Sequence, residues 1–246
     1  VLASNPGGAA FLFYGGRNNI VSQSIGVGAP AFNASDTDSN TVTGSYFWSP
    51  AGYAAQFDTT ADSNTITQST MVSACASCAG LYISNSDSNT VTGSLILNAF
   101  GHAARLAAGA DRNEISLSTM VAGAADRYAL LLTASDSNTV TGSYMSNPAD
   151  IAVYLDDSDN NTIAGSTIAI TANYNNSPAL YLTAASRNTI SQSLIQNTLN
   201  DAVAFHAASN SNVISQSTLT ASGGSGGQIW LDGSSSNTVT ASYLYT

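Results

Sequence analysis

Short stretches of alternating apolar and polar residues follow one another along the whole chain, and the pattern returns about every 24 residues. The most regular stretch reads Thr-Val-Thr or Thr-Ile-Thr, as at Thr41, Val42 and Thr43. A β-branched apolar residue between two polar ones favours a strand whose Val or Ile faces the core and whose Thr residues face solvent. A second stretch follows, with inward residues predicted at Phe47, Met71, Ile96, Met120, Met145, Ile168, Ile195, Leu219 and Leu244. A third, such as "IAVYLDD" from Ile151, precedes the next turn, so each repeat holds three short strands.

Two polar positions recur once in every repeat. An Asn stands at Asn19, Asn40, Asn64, Asn89, Asn113, Asn138, Asn161, Asn188, Asn212 and Asn237. A Ser follows five residues later, at Ser24, Ser45, Ser69, Ser94, Ser118, Ser143, Ser166, Ser193, Ser217 and Ser242. Small polar side chains stacked at equivalent bends can hydrogen-bond to neighbouring coils and to backbone groups that the bend leaves unpaired. We therefore predict an asparagine ladder and a serine ladder with structural roles, rather than catalytic serines.

The period predicts the fold class. A repeat in the twenties without a helical periodicity indicates an all-β, single-stranded parallel β-helix, here of about ten coils with three strands per coil. Each coil advances about 4.8 Å, so ten coils make a rod of roughly 48 Å. We expect residues 1–246 to form one solenoid domain. Because the sequence "TVTASYLYT" ends on a repeat strand without a polar cap, we expect an excised or uncapped part of a longer solenoid.

The repeat motifs resemble those of a known group of proteins. "SNTVTGS", "RNTISQS" and "SNVISQS" are similar to the Asn-Thr-Ile repeats of right-handed parallel β-helix proteins. These form the pectate-lyase-like superfamily, which includes polysaccharide lyases, epimerases and proteins with NosD-type repeats. The resemblance covers nearly the whole chain and implies the right-handed solenoid. It implies no particular activity, because members with unrelated activities share these structural residues.

Composition narrows the classes of partner. The chain has 43% hydrophobic and 8% charged residues, and its net charge is −10. With no Lys and few Arg, it lacks the basic surface that nucleic acid requires, and a polyanionic substrate would be repelled. No apolar run is long enough for a membrane span. Cys75 and Cys78 lack a second Cys pair or a nearby His for zinc, which leaves a free or loop-clipping pair or a functional disulfide.

The strand before the turn carries the candidate binding surface. Its outward column is predicted as Leu12, Ala31, Gln56, Tyr82, Arg105, Leu131, Tyr154, Tyr181, Ala204 and Trp230. The column after it includes Asp58, Asp156, His206 and Asp232, and the one before it is mostly Ala or Gly. Aromatic rings beside carboxylates suit a neutral glycan or another protein chain, so the candidate ligand-binding residues are Tyr82, Tyr154, Tyr181, Trp230, Asp156 and Asp232. An ordinary exposed sheet, or one covered by a neighbouring chain, is the alternative. His102 and His206 are predicted to be surface residues rather than ligands.

Catalytic residues are harder to identify. Asp156 and Asp157, in "YLDDSDN", resemble the Asp-Asp element of polygalacturonase-like enzymes, but the accompanying His and Arg-x-Lys elements are absent. Glycoside hydrolysis needs two suitably spaced carboxylates, one of which holds a proton. We interpret Asp156, Asp157 and Asp159 as turn residues, with a calcium site as the alternative, and predict no other cofactor.

The Thr-x-Thr stretches form a separate candidate surface. Outward Thr pairs at strand spacing make a flat array of hydroxyls and methyls that resembles the ice-binding face of β-solenoid antifreeze proteins. The pairs are Thr41/Thr43, Thr65/Thr67, Thr90/Thr92, Thr139/Thr141 and Thr238/Thr240. Glu114, Ala164, Val213 and Ser215 interrupt the array.

Regular repeats without a complete catalytic constellation favour a non-catalytic solenoid on the cell surface or in the extracellular space. It would serve as a structural rod or as a carbohydrate- or protein-binding module. The alternatives are a polysaccharide-active enzyme and an ice-binding protein. Lateral or end-to-end self-association is compatible with a solenoid of this kind.

Overall fold

The computed structural model describes residues 1–171, 177–222 and 227–245. In these ranges the chain forms short strands only, because each stretch of three to six residues ends at a bend. In chain order they are β1 (Leu2–Asn5), β2 (Phe11–Tyr14), β3 (Ile20–Ser22), β4 (Ile25–Gly28), β5 (Phe32–Ser35), β6 (Thr41–Thr43), β7 (Tyr46–Ser49), β8 (Ala55–Asp58), β9 (Thr65–Thr67), β10 (Thr70–Ser73), β11 (Ala79–Ser84), β12 (Thr90–Thr92), β13 (Leu95–Asn98), β14 (His102–Ala107), β15 (Glu114–Ser116), β16 (Thr119–Ala122), β17 (Leu130–Thr133), β18 (Thr139–Thr141), β19 (Tyr144–Ser146), β20 (Val153–Asp156), β21 (Thr162–Ala164), β22 (Thr167–Ile170), β23 (Leu180–Thr183), β24 (Thr189–Ser191), β25 (Leu194–Asn197), β26 (Val203–His206), β27 (Val213–Ser215), β28 (Thr218–Ala221), β29 (Ile229–Asp232), β30 (Thr238–Thr240) and β31 (Tyr243–Tyr245).

The strands form three parallel sheets, and every third strand in the chain joins the same sheet. Sheet 1 has 11 strands in the order β1-β4-β7-β10-β13-β16-β19-β22-β25-β28-β31. Sheet 2 has 10 strands in the order β2-β5-β8-β11-β14-β17-β20-β23-β26-β29, and sheet 3 has 10 in the order β3-β6-β9-β12-β15-β18-β21-β24-β27-β30. This arrangement is the predicted parallel β-solenoid. The described residues contain no helix long and apolar enough to cross a bilayer.

The core consists of stacked columns of like side chains. Val42, Ile66 and Val91 pair in register in sheet 3 and are fully buried, whereas the flanking Thr residues are half-exposed. In sheet 1, Phe47, Met71 and Ile96 pair in the same way and are fully buried. The predicted inward and outward faces are therefore confirmed for these coils. Leu244, also predicted to face inward, pairs in register with Leu219 but is 48% exposed in the last described strand.

The recurring Asn residues join successive coils. The backbone N–H of Asn113 donates a hydrogen bond of 2.8 Å to Oδ1 of Asn138, and the equivalent bond joins every adjacent pair from Asn19 to Asn237. The recurring Ser residues make the same connection through Oγ, from Ser24 to Ser242. These bonds pair backbone N–H groups at two of the bends, where the sheets supply no partner.

One assignment in the predicted outward column of sheet 2 is wrong. The strand register places Asn33, not Ala31, between Leu12 and Gln56. Ala31 lies two residues earlier, where the chain enters the sheet, and it is fully buried in the core.

The predicted outward strip of small residues is also an interior feature. Its members are fully buried and belong to the core, as at Ala54, Ala103, Ala129, Ala152, Ala179 and Ala202. A Cβ atom added to Gly80 would lie 2.9 Å from Ile96 Cγ2 and 2.9 Å from the carbonyl oxygen of Ala103. Small residues occur there because a corner packs tightly against the core. The strip therefore cannot form the floor of a surface groove.

Candidate ligand-binding face

The strand register of sheet 2 brings the predicted binding residues into two neighbouring outward columns. The first column, with Asn33 corrected, is Leu12, Asn33, Gln56, Tyr82, Arg105, Leu131, Tyr154, Tyr181, Ala204 and Trp230. The second column places Thr133, Asp156, Thr183, His206 and Asp232 on successive strands. The ring contacts divide this face into two groups, one around Tyr82 and one around Tyr154 and Tyr181.

Four rings form one stack at the C-terminal half of the face. The ring centroids of Tyr154 and Tyr181 are 5.2 Å apart, those of Tyr181 and His206 are 6.1 Å apart, and those of His206 and Trp230 are 5.9 Å apart. All three pairs are within 26° of parallel. We call these residues the aromatic stack. Because neighbouring rings cover each other's faces, the stack offers ring edges and the two phenol hydroxyls for hydrogen bonding.

A second group of rings lies nearer the N-terminus. Tyr53 stacks on Tyr82 with centroids 4.5 Å apart and an interplanar angle of 11°. The guanidinium carbon of Arg105 lies 5.6 Å from the centroid of the Tyr82 ring, a cation–π contact. Tyr53 comes from the segment before β8, so a prediction restricted to strand positions missed it.

Tyr128 links the aromatic stack to His102. Its ring meets that of Tyr154 edge-on at 5.1 Å and 84°, and its centroid is 5.2 Å from that of His102. Burial, together with the nearby Asp150 carboxylate, raises the pKa of Tyr128 to about 12. Tyr53, His102 and Tyr128 each precede a first-column residue by three positions, and this spacing is the signal in the sequence that could have identified them.

The prediction that His102 is a surface residue is wrong. Its side chain is buried, and its Nδ1 accepts a hydrogen bond of 3.0 Å from the backbone N–H of Tyr128. Burial, followed by the charges of Arg127 and Arg105, lowers the pKa of His102 to about 4. The imidazole is therefore neutral at pH 7. His102 is buried because it begins β14, a strand that extends further toward the corner than most of its neighbours.

The second column contains groups suited to proton transfer. Asp156 is half-buried, and burial, followed by the charge of Asp157, raises the pKa of its carboxyl group. His206 Nδ1 lies 2.8 Å from Asp232 Oδ2. Since Asp156 and His206 are separated by Thr183 alone, their backbones lie two strand spacings apart, about 10 Å. A carboxyl group with a raised pKa and an imidazole beside a carboxylate are residue types that serve as acid and base in catalysis.

The three Asp residues predicted for the turn differ in position. Asp156 ends strand β20, which corrects its assignment to the turn. Asp157 follows as an exposed residue with a φ of 47°, and Asp159 Oδ1 accepts a hydrogen bond of 2.6 Å from the backbone N–H of Ser186. Asp159 Oδ2 pairs with Arg187 at 2.6 Å. In the part of the chain that the structure describes, no group of three or more His, Cys, Asp or Glu side chains is arranged to hold a metal ion.

The remaining candidates lie elsewhere on the rod. Cys75 and Cys78 form a disulfide within the segment between β10 and β11. The Thr pairs project from sheet 3, where Thr67 Oγ1 and Thr43 Oγ1 are 3.0 Å apart. Glu114 pairs in register with Thr90 and Thr139, so it interrupts the array as predicted.

Comparison with known proteins identifies the repeat. Residues 79–244, more than half of the chain, match the family described as "Right handed beta helix region". No curated protein matches the chain at a significant level.

Several solved structures share the fold at low sequence identity. A DFA-IIIase from Arthrobacter chlorophenolicus A6, solved without its lid, has a TM-score of 0.64 and 13% identity over 96% of this chain and 68% of that one. The Dettilon tailspike protein gives 0.70 and 11% over 94% and 54%, so this chain spans about half of its length. The A-module of the Azotobacter vinelandii mannuronan C-5 epimerase AlgE6 gives 0.66 and 12% over 98% and 80%. At these identities the similarity shows the fold alone.

Proposed function

We propose that this chain, which belongs to the right-handed β-helix family, is a glycan-binding solenoid of the cell surface or the extracellular space. The binding surface is the outer face of sheet 2, and the ligand is a neutral glycan. The observation that carries the proposal is the aromatic stack beside the column of Asp156, His206 and Asp232. Aromatic and carboxylate groups along one face match the mixed apolar and hydroxyl surface of a sugar chain.

The arrangement of the rings determines how a glycan would be held. The faces of Tyr154, Tyr181 and His206 are turned toward neighbouring rings, so sugar hydroxyls would meet ring edges, phenol hydroxyls and the oxygens of Asp156 and Asp232. Trp230, which is 45% exposed, stacks on His206 and offers apolar ring surface against which a sugar can pack.

Charge favours a neutral ligand. The chain carries a net charge of −10, and Arg105 is the one Arg in the two described columns of sheet 2. A uronate polymer would approach Asp58, Asp156 and Asp232 with the same sign of charge, which disfavours binding. The similar structures include a mannuronan C-5 epimerase and a periplasmic alginate epimerase. This fold is therefore compatible with polysaccharide ligands.

The proposed location has two supports. The disulfide between Cys75 and Cys78 suits an oxidising compartment, since disulfides are rare in reducing cytosol. Among the similar structures, one is a tailspike protein and another is named as a periplasmic enzyme. Fractionation of the source cells, followed by immunodetection of the chain, tests the location directly.

A glycan array tests the proposed ligand class. We expect the purified chain to bind neutral polysaccharides and to bind uronate polymers much more weakly at low salt. Titration calorimetry of the best ligand then gives the affinity. Absence of binding to every neutral glycan, or a preference for uronate polymers, contradicts the proposal.

Hydrolysis of a neutral glycan is the second candidate function, favoured by the positions of Asp156, His206 and Asp232. The carboxyl group of Asp156 would donate its proton to the glycosidic oxygen as the bond from that oxygen to the anomeric carbon breaks. His206 Nε2 would accept a proton from the water whose oxygen bonds to the same carbon, and Asp232 Oδ2 lies 2.8 Å from the other ring nitrogen, Nδ1.

Product release from neutral glycans tests this candidate. If the chain hydrolyses a glycan, Asp156→Asn should lower the rate by about 100-fold or more, because it removes the proton donor. The matched control is Asp58→Asn, which changes a carboxylate in the same column at the other end of the face. Product release that persists in Asp156→Asn, or none from the unmodified chain, contradicts hydrolysis but leaves the binding proposal standing.

A further inference from the structure

The outer face of sheet 1 is uncharged and partly apolar. In the described strands its outward pairs are Leu2/Ser4, Ile25/Val27, Tyr46/Trp48, Thr70/Val72, Leu95/Leu97, Thr119/Val121, Leu194/Gln196, Thr218/Thr220 and Tyr243/Tyr245. In β19 and β22 only Tyr144 and Thr167 are accessible, because Ser146 and Ala169 are buried. From β4 to β19 the exposed members include Ile25, Tyr46, Trp48, Leu95 and Tyr144. We call the outer surface of these six strands the sheet 1 patch. Apolar surface of this extent commonly marks an interaction site.

Charge indicates what can cover the sheet 1 patch. The chain has a net charge of −10, and the outer faces of the other two sheets carry carboxylates, such as Asp156 on sheet 2 and Glu114 on sheet 3. Two copies approaching through either of those faces would bring like charges together. Two copies approaching through the sheet 1 patch would not.

The sheet 1 patch is also complementary to itself. Its centre lies between β10 and β13, so a two-fold axis parallel to the strands at this point sets β7 over β16 and β10 over β13 of a second copy. This rotation leaves each residue at the same position along its strand and reverses the order of the strands along the rod. Trp48 then faces Val121, Tyr46 faces Thr119 and Leu95 faces Thr70. In these three pairs a large side chain meets a smaller one, which suits the self-complementary contact of an isologous interface.

A hollow lies where the Trp48 ring of the second copy would rest. It holds about 260 Å³ and is lined by Leu97, Asn98, Ala99, Val121, Ala122, Gly123 and Pro148. All of these except Asn98 are apolar or lack a polar side chain. Because the two-fold axis is shared, the same insertion occurs twice, once from each copy.

We propose that two copies of this chain associate through the sheet 1 patch, with their long axes antiparallel and Trp48 of each inserted in the hollow of the other. Five strands of four residues and β19 of three cover about 360 Å² on each copy. This is about half of what a stable interface buries, so the expected dimer is weak and forms at micromolar concentrations. The face of sheet 2 stays open, and the inference is independent of the proposed glycan binding.

Sedimentation velocity from about 1 to about 200 µM chain tests the proposal. We expect a monomer–dimer equilibrium that strengthens in about 0.5 M NaCl, because salt screens the repulsion between two acidic copies. Trp48→Glu places a charge in each of the two symmetry-related contacts and should keep the chain monomeric throughout this concentration range. Tyr46→Glu should do the same, and circular dichroism melts verify that both variants are folded. The matched control is Trp230→Glu, on sheet 2, which should leave the dimer unchanged.

A cross-link tests the antiparallel arrangement itself. In the proposed dimer Ile25 faces Tyr144 of the second copy, whereas the two copies of either residue lie about 24 Å apart along the rod. A mixture of Ile25→Cys and Tyr144→Cys chains should therefore cross-link with a short bismaleimide much more than either variant alone. A chain that stays monomeric, association that survives Trp48→Glu, or a higher oligomer overturns the proposal. Capture of lipid vesicles or of another protein by a monomeric chain through this patch also overturns it.

Discussion

The rings of Tyr154 and Tyr181 lie 5.2 Å apart and 25° from parallel, on strands that pair directly in sheet 2. The distance agrees with the advance of about 4.8 Å per coil that the sequence predicts. Their contact continues through His206 to Trp230. Any ligand that uses this face must therefore meet a rigid surface of several coils, not isolated side chains.

Removing both rings should weaken glycan binding. We expect the double variant Tyr154→Ser/Tyr181→Ser to lower affinity for the best neutral glycan by about tenfold or more, because aromatic contacts contribute about 0.5–1.5 kcal/mol each. Calorimetry or a glycan array measures the change. Thr139→Ser/Thr141→Ser on sheet 3 is the control and should bind normally. If the Tyr changes leave every interaction intact and the Thr changes remove it, the binding face is on sheet 3.

The sequence predicted the solenoid and most of the strand register because the repeat constrains both. Val42 and Ile66 occupy equivalent places in successive coils, so counting from the recurring Asn determined which residues face inward. The same counting failed at Ala31, because the spacing between the corner and the Asn varies from coil to coil. It also failed for Ala103, since strict alternation of inward and outward residues ends at a corner. The ring partners Tyr53 and Tyr128 were missed because they precede the regular strands, where a residue's direction depends on tertiary packing.

Inward and outward positions should differ sharply in their tolerance of charge. Ile163 and Ile190 are buried and pair with each other in sheet 3, whereas Thr162 and Thr189 beside them are half-exposed. Ile163→Asp or Ile190→Asp buries an unpaired carboxylate and should lower the free energy of unfolding by about 4 kcal/mol or more. Thr162→Asp and Thr189→Asp should each cost about 1 kcal/mol. Denaturant melts of the four single variants measure this, and equal losses at both kinds of position would contradict the register.

The Asn residues should differ in their contribution according to their amide contacts. Asn138 Oδ1 accepts from the backbone N–H of Asn113, so Asn138→Ala leaves that buried group unpaired and should cost about 1–3 kcal/mol of unfolding free energy. Asn113→Ala should cost more, since Asn113 Oδ1 accepts from Asn89 and its Nδ2 also donates to the carbonyl oxygen of Ser86. Denaturant melts measure both, with Thr139→Ala as a nearby outward control. Losses no larger than that of Thr139→Ala would show that water pairs with the backbone N–H groups at these bends.

Acid should destabilise the rod partly through His102. The pKa of His102 is about 4 in the folded chain, against an ordinary value of 6.5, because burial and then Arg127 and Arg105 disfavour the charged ring. The unfolded chain therefore binds a proton near pH 6.5, and the folded chain does not until about pH 4. Unfolding takes up a proton in this window, so the free energy of unfolding is highest above it and falls as the pH falls from about 6.5 to about 4. The total loss from this one group is about 3 kcal/mol.

His102→Asn should remove that part of the acid sensitivity. The Asn side chain can still accept a hydrogen bond from the backbone N–H of Tyr128, but it does not titrate. Protonating His102 would instead place a hydrogen on Nδ1 and break that bond. Denaturant melts of the unmodified chain and the variant at several pH values give the difference between their free energies of unfolding. The contributions of the other titrating groups cancel in that difference. We expect the variant to be less stable than the unmodified chain at pH 7 and to lose this disadvantage progressively toward pH 4. A difference that stays constant with pH would mean that the buried imidazole is readily protonated in the folded chain.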